Sequence, residues 1–159
     1  MKKYAIITMD VEDWYHTYFP EANVDRSISL LDGLDVALDI MKKDDIHGSF
    51  FVVGEIADKL ADKLREMDKE GHDIAVHSCQ HLRPVTMTPD EFRSQLLEAK
   101  RKIEEILGHE VQGYRAPSFG IDDERLDIVR ECGFKYDSSK LKPQKSAKYG
   151  VLNLKGFKE

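Results

Sequence analysis

Gly71-His72-Asp73-Ile74-Ala75-Val76-His77-Ser78-Cys79-Gln80-His81 is the stretch from which the rest of the chain can be read. Its short apolar run, Ile74 to Val76, reads as a buried strand. The run ends directly on His77, and His81 follows four residues later. If the chain turns helically just past the strand, imidazoles at i and i+4 share one face and bring two nitrogens to one metal ion. Two ligands do not make a site. A third, a carboxylate, is expected from the start of the chain, where Asp10-Val11-Glu12-Asp13 stands.

Outward from that stretch, apolar runs alternate with amphipathic ones. Tyr4 to Thr8 reads as a first buried strand that delivers Asp10, Glu12 and Asp13 at its end. An aromatic loop, Trp14 to Pro20, follows. Ser29 is expected to cap a helix bearing Leu30, Leu31, Leu34, Leu38 and Met41. Gly48 to Val53 reads as a second strand, and Ile56, Leu60, Leu64 and Met67 mark a second helix. The clearest helix start is Thr88-Pro89-Asp90-Glu91, a capping box with proline in the first turn. Phe92, Leu96, Ile103 and Leu107 form that helix's buried stripe, and Gly108 its stop. Val111–Tyr114 is a fourth strand, leading into Arg115. A helix opened by Asp122 or Asp123 and a fifth strand at Phe134–Tyr136 follow, with Val151 to Leu154 as one more strand-like piece.

The alternation implies a parallel sheet with right-handed crossovers. The polar residues choose between its two forms. Asp10 to Asp13, His77 to His81, Arg115 and Asp137 all stand at or just past strand ends, and several consecutive strand ends meeting at one mouth is the habit of a (β/α) barrel. An open doubly wound sheet would place its site at one switch point. Composition fits one soluble domain over 1–159: 41% hydrophobic, 34% charged. The net charge of −6 argues against a nucleic-acid surface. Cys79 and Cys132 make no disulfide framework and suggest a reducing compartment. With no secretory segment and no apolar run of membrane-spanning length, the expected location is cytoplasmic.

These residues resemble the polysaccharide deacetylase family (NodB-type carbohydrate esterases). Thr8-Met9-Asp10-Val11-Glu12-Asp13-Trp14 stands where the family carries Thr-Phe-Asp-Asp. His77-Ser78-Cys79-Gln80-His81 matches its His-Ser/Thr-x-x-His, with the lead-in Gly71-His72-Asp73. Arg115-Ala116-Pro117-Ser118-Phe119 matches the Arg and Pro of the third motif, and Tyr136-Asp137-Ser138-Ser139 falls where the fourth lies. The Asp-Val-Glu-Asp form is closest to an intracellular bacterial branch. The family's fifth motif, Leu-x-Leu-x-His, has no counterpart: the tail Val151 to Glu159 contains no histidine, and the last one is His109. A C-terminally truncated member is therefore expected.

The resemblance implies a distorted and here incomplete (β/α) barrel, and a metal-dependent hydrolase that removes N-acetyl groups from an amino-sugar polysaccharide or its precursor. It implies one divalent ion, zinc in the first instance, with cobalt or nickel as alternatives. Asp10 would be the general base and Arg115 its partner. His77, His81 and either Glu12 or Asp13 would hold the metal. Trp14, Pro117, Phe119 and Asp137 would line the substrate site, and His16 could stand in for the absent proton donor. Two other readings stay open: a cyclic-amide hydrolase of the same superfamily, and a non-catalytic remnant. The expected partner is an N-acetylated glycan or related small molecule. A shortened barrel also exposes sheet edges, so a homo-oligomer is anticipated.

Overall fold

The computed structural model describes residues 5–18 and 24–141. Five strands, β1 (Thr8–Val11), β2 (Ser49–Val52), β3 (Asp73–Val76), β4 (Gly113–Tyr114) and β5 (Tyr136–Asp137), lie side by side in chain order, all parallel. That order separates the two architectures. A doubly wound sheet reverses direction at a switch point, whereas each strand of a barrel pairs with the next. The described strands form an arc of a (β/α) barrel, open between β1 and β5.

Five helices accompany the sheet: α1 (Trp14–Tyr18), α2 (Gly33–Lys43), α3 (Ala61–Lys69), α4 (Pro89–Leu107) and α5 (Asp123–Glu131). α4 begins as its sequence predicts. The Thr88 hydroxyl accepts the Glu91 N–H at 3.3 Å, and the Glu91 carboxylate accepts the Thr88 N–H at 2.9 Å. Gly108 ends the helix at φ 79°, a left-handed conformation that glycine adopts without a Cβ clash. Phe92, Leu96, Ala99, Ile103 and Ile106 form the buried stripe, with Leu107 only partly covered. The stripe packs into the same core as Leu64 and Met67 of α3 and Phe50, Val52, Ile74 and Val76 of the central strands.

Several boundaries differ from the sequence reading. β1 begins at Thr8, and the apolar residues before it are open to solvent, Ile6 at 83% and Ile7 at 44%. Among the described residues β1 is an edge strand paired only with β2, so an apolar run could not by itself fix its register. Ser29 does not cap α2: the helix starts at Gly33 after Asp32, and the Ser29 hydroxyl turns back to Asp13. Two 3₁₀ turns, Gly54–Ile56 and Asp58–Leu60, precede α3. The aromatic loop contains α1, and residues 19–23 lie outside the described residues, as does the strand-like piece Val151 to Leu154. No helix among the described residues is long and apolar enough to cross a membrane.

Candidate active site

The site is built on strand ends. Val11 is 3% exposed and faces the core, so strand alternation sends Asp10 and Glu12 to the opposite side together. β3 ends beside them. The His77 N–H donates to the Val52 carbonyl at 2.8 Å, which extends the sheet by one residue and fixes where the first imidazole emerges. The segment beyond is not helical. Ser78 (φ 65°) and His81 (φ 59°) both take the left-handed conformation, which is costly for non-glycine residues and concentrates at functional sites. The neighbouring turn holds this loop: the Gly54 N–H donates to the Ser78 carbonyl at 3.0 Å and the Glu55 N–H to the Cys79 carbonyl at 2.9 Å. The two imidazoles meet because this tight loop folds back, rather than through helical spacing.

Each imidazole is set by a backbone carbonyl. His77 Nδ1 lies 2.8 Å from the Arg115 carbonyl and His81 Nδ1 2.8 Å from the His16 carbonyl. A carbonyl only accepts, so both rings carry a proton on Nδ1 and turn Nε2 toward the carboxylates of Asp10 and Glu12. Burial, the largest influence on His77, depresses its pKa and favours the neutral ring. Glu12 Oε2 is 2.6 Å from His81 Nε2 and 3.8 Å from His77 Nε2. One ligand atom from each of Glu12, His77 and His81 lies within 4.8 Å of the other two, the arrangement of a one-ion, two-imidazole, one-carboxylate site.

Asp10 stands beside this cluster, with Oδ2 3.8 Å from His77 Nε2 and Oδ1 accepting from Arg115 Nη1 at 2.7 Å. The guanidinium is anchored on every side. Nη2 donates to the Thr8 hydroxyl at 3.0 Å and the Ser138 hydroxyl at 2.8 Å, and the plane lies 4.0 Å from the Phe51 ring centroid. Phe119 also faces it, at 5.6 Å. Thr8, Ser138 and Phe51 thus belong to the site although sequence reasoning did not single them out. Ser138 could have been noticed in Tyr136-Asp137-Ser138-Ser139; nothing local marks Phe51.

Other candidates are placed elsewhere. Asp13 is 1% exposed, and its oxygens accept from the Ser29 hydroxyl (2.6 Å), the Leu30 N–H (3.0 Å) and the Trp14 N–H (3.0 Å). Burial alone would raise its pKa, but these bonds outweigh it and hold the carboxyl below its usual value. Asp13 is a clasp on the loop before α2, not a member of the cluster. Asp137 accepts from the Ser139 N–H (2.8 Å) and hydroxyl (2.7 Å), and that hydroxyl accepts the Ala116 N–H (2.8 Å). It braces the segment carrying Arg115 rather than presenting its carboxylate, and burial raises its pKa. Pro117 is buried in a 3₁₀ turn, Pro117–Phe119, which contains left-handed Ser118 (φ 52°) and Phe119 (φ 56°). Trp14 is half-buried, its indole N–H on the Ile28 carbonyl at 3.1 Å. His16 is not placed as a proton donor: its Nδ1 accepts the Asp13 N–H at 2.9 Å and its Nε2 meets Glu55 at 2.6 Å.

Residues 27–136 match the family model for polysaccharide deacetylase. The chain belongs to that family. The matched segment contains the second and third motifs and ends on the first residue of the fourth; Asp10 and Glu12 precede it and join the site through the fold. Peptidoglycan-N-acetylmuramic acid deacetylase PdaA of Bacillus subtilis is 28% identical over 125 residues, 74% of this chain and 48% of its own length. The crystal structure of a candidate polysaccharide deacetylase from Mycobacterium smegmatis superposes with a TM-score of 0.73 at 30% identity, over 84% of this chain and 50% of that one. Peptidoglycan deacetylase PdaC from Bacillus subtilis superposes with a TM-score of 0.63 at 26% identity, over 83% and 55%. This polysaccharide deacetylase chain spans about half the length of these relatives.

Proposed function

We propose that the chain carries the metal-binding half of an amide-hydrolysing centre that removes acetyl groups from N-acetylated amino sugars in a glycan. The observation that carries this reading is the convergence of two Nδ1-protonated imidazoles on Glu12, with an Arg115-paired Asp10 alongside. The donor set suits a divalent ion: Glu12, His77 and His81 would hold it, with zinc favoured and cobalt or nickel acceptable to the same nitrogen and oxygen donors. Such an ion, when bound, supplies Lewis acidity toward an acetamide carbonyl.

The chain's own groups supply the base that activates water. Asp10 takes the proton of the attacking water, and Arg115 holds its carboxylate in place through a charge-assisted pair. The Phe51 and Phe119 faces on the guanidinium limit its motion. Phe119 and Trp14, at the rim, offer apolar surface for a sugar ring. The relative named as an N-acetylmuramic acid deacetylase supports the substrate class.

The test pairs metal analysis with acetate release from N-acetylglucosamine oligomers and from peptidoglycan fragments. The parent is expected to hold about one equivalent of zinc, and His77→Ala with His81→Ala none. Asp10→Asn should keep the metal and lower acetate release by about 10²–10⁴-fold in whichever chain or complex is active. Metal retained in the double variant would remove the basis of this reading. Release of acetate with no metal present would do the same.

A further inference from the structure

Beside the cluster, one polar pair, a buried His16 and a half-buried Glu55, takes no part in the chemistry above. His16 is 1% exposed, and its Nδ1 accepts a backbone N–H, so its proton sits on Nε2 and is donated to Glu55 Oε1 at 2.6 Å. This hydrogen bond is the largest influence on Glu55 and holds its carboxyl below the usual value. The backbones of the same two residues face the ligand loop. The His16 carbonyl takes the His81 Nδ1 proton at 2.8 Å, and the Glu55 N–H donates to the Cys79 carbonyl at 2.9 Å.

These bonds close a ring. It runs from the Glu55 backbone to Cys79, along the chain to His81, across to the His16 carbonyl, and back through the His16 imidazole to the Glu55 carboxylate. The ring passes through His81, whose left-handed φ of 59° is costly for a residue other than glycine. We propose that Glu55 is a positioning residue: through His16 it fixes the carbonyl that holds His81 in its Nδ1–H form, and thereby sets divalent-metal affinity. The affinity part rests on the metal site proposed above; the orienting part does not. The role is that of an outer partner of a ligand histidine, except that it is exerted through a backbone carbonyl one residue removed.

Two measurements on the full chain decide it: imidazole ¹⁵N NMR of the metal-free protein, and zinc affinity by chelator competition. They are made on the parent, Glu55→Ala, Glu55→Gln and His16→Phe. Glu55→Ala keeps the backbone bond to Cys79 and removes the carboxylate that takes His16 Nε2 at 2.6 Å and Arg26 Nη1 at 3.4 Å. It is expected to give a mixture of His81 tautomers and zinc binding weaker by about 10–100-fold. Glu55→Gln, whose amide oxygen still accepts from His16, should stay close to the parent. His16→Phe, which keeps a ring but has no donor for Glu55, breaks the same link from the other end and decides the question if Glu55→Ala does not fold. An unchanged His81 tautomer in Glu55→Ala or, failing that variant, in His16→Phe overturns the proposal, as does Glu55→Gln falling as far as Glu55→Ala. If the parent takes up no zinc while Glu55→Ala still disturbs His81, the metal reading fails and the positioning role stands.

Discussion

Glu12 and Asp13 are adjacent acids with opposite fates. Alternation past β1 sends Glu12 with Asp10 toward the imidazoles and turns Asp13 to the loop before α2, where three donors occupy it. Glu12→Gln is therefore expected to abolish zinc binding, measured by chelator competition, while Asp13→Asn keeps it. Asp13→Asn should instead cost about 1–3 kcal/mol in urea unfolding of the metal-free chain, because a buried acceptor is replaced in part by a donor. Metal loss in Asp13→Asn with Glu12→Gln unaffected would reverse the assignment. His72 offers a pH test away from the site. It is 7% exposed, and its Nδ1 accepts the Gly48 N–H at 3.2 Å. Burial, then the neighbouring His47, lowers its pKa from the usual 6.5. The unfolded chain takes the proton first, so its contribution is full above 6.5 and is lost as pH falls through that value toward the folded pKa. His72→Gln should show a smaller loss of stability than the parent between about pH 7.5 and about pH 5.5 in urea titrations. An equal loss in both would assign the effect to other histidines.

Between elements, the decisive joint is where β2 runs into the turn beneath the ligand loop. A Cβ on Gly54 would meet the Ala99 Cβ at 2.9 Å and Cα at 3.1 Å, so glycine there lets the turn sit directly on α4 and reach Ser78 and Cys79. Gly54→Ala is expected to destabilise by about 1–3 kcal/mol through overpacking. Ala99→Gly alone should cost about 1 kcal/mol of helix propensity. In the double variant the two costs should fall short of additive, because the second substitution opens the space the first fills. Strict additivity in urea unfolding would show that the contact is not what restrains this joint. The same elements show what local sequence encodes. The α4 start was legible because a capping box is satisfied within four residues. The β1 start was not, because Ala5 to Ile7 are apolar yet lie on an edge.

At the scale of the molecule, five parallel strands in chain order leave β1 and β5 without outer neighbours among the described residues. Apolar side chains stand open at Ile6 before β1, at 83%, and at Val36 (62%) and Ile40 (55%), the last two one turn apart on α2. Such edges and patches promote association. Sedimentation velocity over a concentration series should show self-association of this 159-residue chain. The double substitution Val36→Glu, Ile40→Lys should reduce it without lowering the unfolding midpoint. A parent that stays monomeric throughout would show that this face is harmless as it stands.

The sequence alone determined the alternation of strand and helix, the α4 capping box, and the placing of Asp10 to Asp13, His77 to His81, Arg115 and Asp137 at or just past strand ends. Each of these depends on residue type and short-range spacing, which survive in one dimension. Tertiary structure decided which acid faces the imidazoles, that the His77–His81 loop is left-handed rather than helical, and that Asp13 and Asp137 are braces. Those outcomes depend on hydrogen-bond partners distant in sequence: Ser29 for Asp13, Ala116 through Ser139 for Asp137, and the His16 and Arg115 carbonyls for the two imidazoles. A side chain's role at a strand end is set by which distant backbone group reaches it first, and only the folded chain brings those groups together.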